Sequence, residues 1–127
     1  MKYVQLTGKL FTDAGEIMGT GYAGGNCGQN PEGRNNPDMQ DAKAIGPLPC
    51  GRYRLGEPVM QSHLGPYAIP LIPDASNEMY GRGAFYMHGD RTNAPGCASE
   101  GCVIQGRNVR EEAVATGEFL DVVRGDE

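Results

Sequence analysis

The chain has no tryptophan and only three phenylalanines. No apolar run approaches the roughly 20 residues a membrane-spanning helix needs. Basic residues are few, 11 against 16 acidic, and the net charge of −5 leaves no basic face of the kind nucleic-acid binding requires. Histidine is scarcer still, at two residues, and there is no C-x-x-C pair. A zinc site from Cys97, Cys102 and His88 is poorly spaced for that reason. The opening residues, Met1 to Lys9, lack an apolar stretch and a small-residue cleavage site, and so do not read as a signal peptide. Glycine and proline are abundant instead: 20 and 9, or 29 of 127 residues, without a period. That excludes a helical bundle and predicts one loop-rich, mainly β domain over residues 1–127.

The four cysteines are Cys27, Cys50, Cys97 and Cys102. They allow two disulfides in three connectivities. Cys27 and Cys50 both lie in loops, so they read either as a bridge formed in an oxidising compartment or as two unrelated thiols. Cys97 has three fates: pairing with Cys102, pairing elsewhere, or staying free.

Short strands are expected at 3–6 and 9–12, with a turn at 12–16 and a return strand at 17–22. Residues 23–39 form a long Gly-, Asn- and Pro-rich loop, a length that usually carries function. Residues 44–51 are a rigid connection into a strand at 52–55. The stretch 67–73 has strand composition, but Pro70 and Pro73 assign it to an edge. The segment 60–66, with His63, reads as a loop, and His63 as a surface residue or a substrate-side contact. Ala84 to His88 is the clearest strand, and 101–105 is a short apolar stretch. Asn108 is expected to cap a helix over 109–115 that packs through Val109, Ala113 and Val114 and stops at Gly117. A last strand covers 119–123.

Chemistry concentrates in Phe85-Tyr86-Met87-His88-Gly89-Asp90 and Ala98-Ser99-Glu100-Gly101-Cys102-Val103. A strand ends in histidine, and fourteen residues later a cysteine follows glycine on a tight turn. Thiol catalysis needs a nucleophilic sulfur and a base near enough to take its proton. A cysteine beside glycine is sterically open, and the N–H groups of its turn can face a substrate oxyanion.

His88-Gly89 followed by Ser99-Glu100-Gly101-Cys102 resembles the L,D-transpeptidase (YkuD-like) signature, most nearly the small L,D-transpeptidase-related type VI secretion effectors. The resemblance runs over about 100 residues. It takes in Thr7-Gly8-Lys9-Leu10, Gly21-Tyr22-Ala23-Gly24, Asn35-Asn36-Pro37-Asp38-Met39-Gln40 and Gly46-Pro47-Leu48-Pro49-Cys50-Gly51-Arg52-Tyr53. Two positions depart from the commoner Ser-His-Gly-Cys form: Glu100 replaces its second histidine, and Ile104 stands where Arg or Asn is frequent.

The resemblance implies an L,D-transpeptidase-like β-sandwich or barrel with one short helix near the carboxyl end. It implies a peptidoglycan-modifying cysteine enzyme that needs no metal or organic cofactor. Cys102 would attack the L-centre carbonyl of a tetrapeptide stem, releasing D-alanine and leaving a thioester. Water, a free D-amino acid or another stem's amine would then resolve it. His88 would be the base, Asp90 or Ser99 its orienter, and the N–H groups at Gly101 and Cys102 the oxyanion hole. Arg82, Arg91 and Arg107 are candidates to hold a substrate carboxylate, with Tyr86 and Glu100 also on the substrate side. The working compartment would be the periplasm, reached through a secretion apparatus or by phage release, and the producer would need an immunity protein. The rival readings are a non-catalytic wall-binding module with its cysteines in disulfides, and a cysteine amidase or endopeptidase. A free Cys102 thiol with depressed pKa would favour the enzyme.

Overall fold

The hairpin expected near the amino end forms as β1 (Lys2–Val4), β2 (Lys9–Phe11) and β3 (Ile17–Thr20), with an irregularity in the β2–β3 register between Leu10 and Phe11. These belong to a computed structural model that describes all residues 1–127. The chain then runs through three short 3-10 turns, Asn26–Gly28, Pro31–Gly33 and Pro37–Met39, before β4 (Gly51–Leu55). Next come β5 (Val59–Gln61), β6 (Gly65–Pro73), β7 (Phe85–His88) and β8 (Val103–Ile104). The helix α1 (Arg107–Thr116) and the last strand, β9 (Phe119–Val123), complete the mainly β fold.

The strands join in the order β3-β2-β1-β9-β4-β6-β7-β8, with β5 paired to β6. Two neighbours are parallel, β1 with β9 and β7 with β8. The sheet curls until its two ends meet. Tyr22, just past β3, bridges Ile104 of β8, donating from its N–H at 3.3 Å and accepting from the Ile104 N–H at 2.8 Å. This seam admits no side chain at Gly21, where a Cβ would lie 1.6 Å from the Ile104 carbonyl oxygen.

Period-two alternation fills the interior. Tyr3, Leu10, Tyr53, Ile69, Met87, Val103, Leu120 and Val122 point into one cluster of 14 buried residues, and Ala113 of α1 closes it. Each large aliphatic side chain withdrawn there contributes about 1.5–3 kcal/mol.

Three expectations are corrected. The stretch over 67–73 is not an edge: β6 lies between β4 and β7. Its prolines are tolerated because neither removes a ladder donor. Pro70 faces the side where β4 has already ended, and its carbonyl accepts from Gly56 at 2.8 Å. Pro73 turns its nitrogen toward β7, which begins only opposite Leu71. The segment 60–66 contains β5 and the β5–β6 turn rather than loop alone. The helix starts earlier than expected, with Gly106 at its N-cap and Asn108 inside its first turn. Tertiary bonds fix that start: buried Arg110 donates from Nε to the Gln105 carbonyl at 3.1 Å and from Nη1 to the Tyr67 carbonyl at 2.8 Å. Val114 accordingly faces outward, 38% exposed, while Ala113 is fully buried.

Candidate active site

Strand register assembles the site. Met87 of β7 pairs with Val103 of β8, and both point into the core. One step earlier, Cys102 falls opposite Tyr86 on the other face, and Tyr86 shares that face with His88 two residues on. Adjacent-strand spacing and a two-residue rise then place the Cys102 and His88 Cα atoms about 8 Å apart, within reach of side chains that converge. Both residues open into one cleft of about 500 Å³, also lined by Tyr86, Ser99, Glu100 and Arg91.

Cys102 is a free thiol. Its Sγ accepts from the Tyr86 N–H at 3.3 Å. Burial pushes its pKa up to about 11, with Glu100 adding to the rise and the Tyr86 N–H and Arg82 opposing it. Of the two marks that would favour the enzyme, the free thiol is present and the depressed pKa is not: the resting sulfur is a neutral thiol. His88 is 2% exposed. Its Nδ1 lies 3.0 Å from the Gly89 carbonyl. That carbonyl can only accept, so Nδ1 carries the proton and Nε2 is left with its lone pair. Nε2 is buried and has no partner. Burial holds the His88 pKa below the usual imidazole value, and the Arg110 charge acts the same way. A neutral imidazole with a buried, unpartnered basic nitrogen thus shares a cleft with a neutral thiol.

The orienter of His88 is the Gly89 carbonyl, which corrects the expectation that Asp90 or Ser99 does this. Asp90 accepts from the Tyr22 hydroxyl at 2.6 Å and from the N–H groups of Arg91 and Gly96. Burial alone would raise its pKa, but these bonds outweigh it and hold the carboxyl below its usual value. Ser99 shapes the nucleophile turn. Its Oγ accepts from the N–H groups of Gly24 at 2.8 Å and Gly101 at 3.0 Å, and donates to the Cys102 carbonyl at 2.6 Å.

The Gly101 N–H is thus taken up by Ser99 and is not free for an oxyanion, which corrects half of that expectation. The Cys102 N–H bonds to no carbonyl and stays available. Gly101 serves differently, with a φ of 145° and no room for a Cβ, which would meet the Arg82 guanidinium at 2.6 Å and the Phe85 ring at 2.8 Å.

The three arginines separate. Arg91 lines the cleft. Arg82 is buried and donates to four carbonyls, those of Gln40, Pro47, Gly46 and Glu100, so it clasps the turn rather than offering a free fork. It also borders a second pocket of about 260 Å³ with Lys43, Phe85 and Glu100, which meets the larger cleft at Cys102. Arg107 is corrected outright: it sits on α1, pairs with Glu111 at 3.1 Å and stacks over Tyr67.

Sequence reasoning missed two cleft residues, Cys27 and Cys97, while His63, read as a surface residue or a substrate-side contact, enters the cleft lining from the β5–β6 turn. Cys27 and Cys97 form a disulfide, so Cys97 takes the second of its three fates, pairing elsewhere, and a Cys27–Cys50 bridge is ruled out. Cys50 is instead free and donates to Gln5 Oε1 at 3.2 Å. His63 was the only other imidazole in the chain, a signal that composition alone supplied.

The family model for the Tlde1 domain matches residues 24–121. Neither a curated protein nor a solved structure matches the chain.

Proposed function

The chain belongs to the Tlde1 domain family, enzymatic type VI secretion effectors of a peptidoglycan-modifying kind, and on that footing we propose that it acts on tetrapeptide stems as an L,D-carboxypeptidase or D-amino-acid exchange enzyme. The observation that carries the reading is a free Cys102 and a His88 with an unpartnered Nε2 lining one cleft.

In this reading His88 Nε2 takes the Cys102 proton as Sγ attacks the L-centre carbonyl. The developing oxyanion meets the Cys102 N–H. His88 then returns the proton to the D-alanine amine as the C–N bond breaks. Water, or the amine of a free D-amino acid, attacks the thioester with His88 again as base. The roomier cleft receives the stem. The smaller pocket beyond Cys102 receives the leaving residue, whose carboxylate meets Lys43 above the buried Arg82 charge. The net charge of −5 gives no general attraction for an anionic wall, so these local cations matter. The reaction belongs in the periplasm of a target cell, after delivery by a secretion apparatus, with an immunity protein guarding the producer. The rival module with every cysteine bridged is disfavoured, because Cys102 and Cys50 are free.

Mass spectrometry of tetrapeptide muropeptides, with and without D-methionine, tests the reading. Loss of D-alanine, or its replacement by D-methionine, is expected from the wild type and not from Cys102→Ala. Lys43→Ala should raise KM for D-methionine severalfold while leaving kcat nearly constant. Unchanged muropeptides with folded, reduced protein would discard the proposal, and cleavage at another bond would point to an amidase or endopeptidase.

A further inference from the structure

Three of the four cysteines face one cleft: Cys27 and Cys97 as a disulfide, and Cys102 as a free thiol. Cys97 is only five residues before Cys102, whereas Cys27 is 70 residues before Cys97. The segment between Asp90 and Cys102 has no strand or helix of its own. It is fastened at points, through Gly96 to Asp90, Ala98 to the Tyr22 hydroxyl and Ser99 to the N–H groups of Gly24 and Asn26. An unpaired Cys97 would therefore be the thiol nearest in the chain to Cys102, on a short irregular segment and in the same cleft. A bridge of that kind would abolish the nucleophile, and it closes the shortest loop of any that Cys102 could make.

We propose that the Cys27–Cys97 bridge guards the nucleophile: by occupying Cys97 it prevents a Cys97–Cys102 disulfide where oxidants prevail. The inference rests on Cys102 being the reactive thiol. In a reducing compartment all four thiols are open. On entering an oxidising one, the Cys27 and Cys97 thiols together surrender two protons and two electrons to a small-molecule disulfide. One S–S bond forms in the protein, and the oxidant leaves as two thiols. Cys102 stays reduced because its nearest pairing partner is already bonded to Cys27.

The two half-cystines then have unequal roles, which a purely structural staple would not give them. Cys27→Ser frees Cys97, and Cys97→Ser removes it. Each variant is incubated with oxidised glutathione and digested without reduction. The bridges are mapped by mass spectrometry, and the muropeptide reaction is run beside them with and without dithiothreitol. The expected result is a Cys97–Cys102 peptide in Cys27→Ser, with activity at least tenfold down and restored by dithiothreitol. Cys97→Ser should keep Cys102 free and its activity indifferent to reductant. Equal behaviour of the two variants, or a free Cys102 in oxidised Cys27→Ser, would overturn the guard. The peptide map reads this even if no muropeptide reacts, so the guard and the enzymatic reading fail separately. Should either variant not fold, fully reduced wild type reoxidised by glutathione replaces it. Restoration of Cys27–Cys97 with Cys102 free is then expected, and a Cys97–Cys102 product would overturn the guard.

Discussion

At Cys102 and His88 the resting charges decide how the chemistry must run. Burial raises the thiol to about 11 and lowers the imidazole below its ordinary value of about 6.5. Near pH 7 both groups are neutral, so no thiolate–imidazolium pair stands ready. In the proposed reaction the proton moves during attack, and the reactive form requires only that His88 be unprotonated. Activity should therefore rise as pH climbs through a midpoint below 6.5, then stay flat to about pH 9, because the thiol loses its proton only near 11. A pH profile of kcat/KM for D-alanine release checks this. A bell with an alkaline fall near pH 8 would instead report a preformed ion pair. That these two residues line one cleft follows from motifs legible in the sequence, His88-Gly89 and Ser99-Glu100-Gly101-Cys102. The protonation logic was not legible there, because burial is a property of the packed sheet. The same holds for Asp90 and Ser99, whose partners Tyr22 and Gly24 come from 68 and 75 residues away.

Elements were readable where periodicity is local and unreadable where a neighbour decides. The alternation in β4, β7 and β9 names those strands directly. The place of β6 in the sheet is invisible locally, because it depends on where β4 ends and β7 begins relative to Pro70 and Pro73. The start of α1 likewise follows from Arg110 reaching the Gln105 and Tyr67 carbonyls, not from the capping preference of Asn108. The segment 91–98 is the extreme case: apart from its own bond to Asp90, it is held by the Cys27–Cys97 bond and by one hydroxyl from far away in the chain. Tyr22 donates to Asp90 at 2.6 Å and accepts from the Ala98 N–H at 3.0 Å. Tyr22→Phe removes both bonds while keeping the ring under Arg34, which stacks on it at 4.1 Å. We expect a loss of about 1–3 kcal/mol in urea melts, as partly buried polar groups go unmatched. We also expect faster amide exchange at Gly96 and Ala98, and little change in β1, β4 or β9.

Across the whole molecule the sheet is closed by backbone and the loops by a covalent tie, and the two act on different states. The Tyr22–Ile104 bridge joins the sheet ends in the folded chain, where Gly21 leaves room for the approach. The Cys27–Cys97 bond spans 70 residues and limits the unfolded chain as well. The chain-entropy relation gives such a loop roughly 4 kcal/mol of stabilisation. That is a large fraction of what a domain of this size holds in total, about 5–15 kcal/mol. Reduction should therefore lower the urea midpoint clearly and steepen the slope, because the uncrosslinked unfolded chain exposes more surface, provided that the folded packing survives without the bond. The packing argues that it does. The 14-residue core contains neither Cys27 nor Cys97, and Ser99 and Asp90 still hold the loop through bonds of 2.6–3.0 Å. Paired urea melts of oxidised and reduced protein, followed by near-ultraviolet dichroism of the core tyrosines, measure this directly. The expected outcome is a cooperative transition in both, shifted to lower urea by the reductant. A reduced protein with no cooperative transition would mean that the tie, rather than the core, carries the fold.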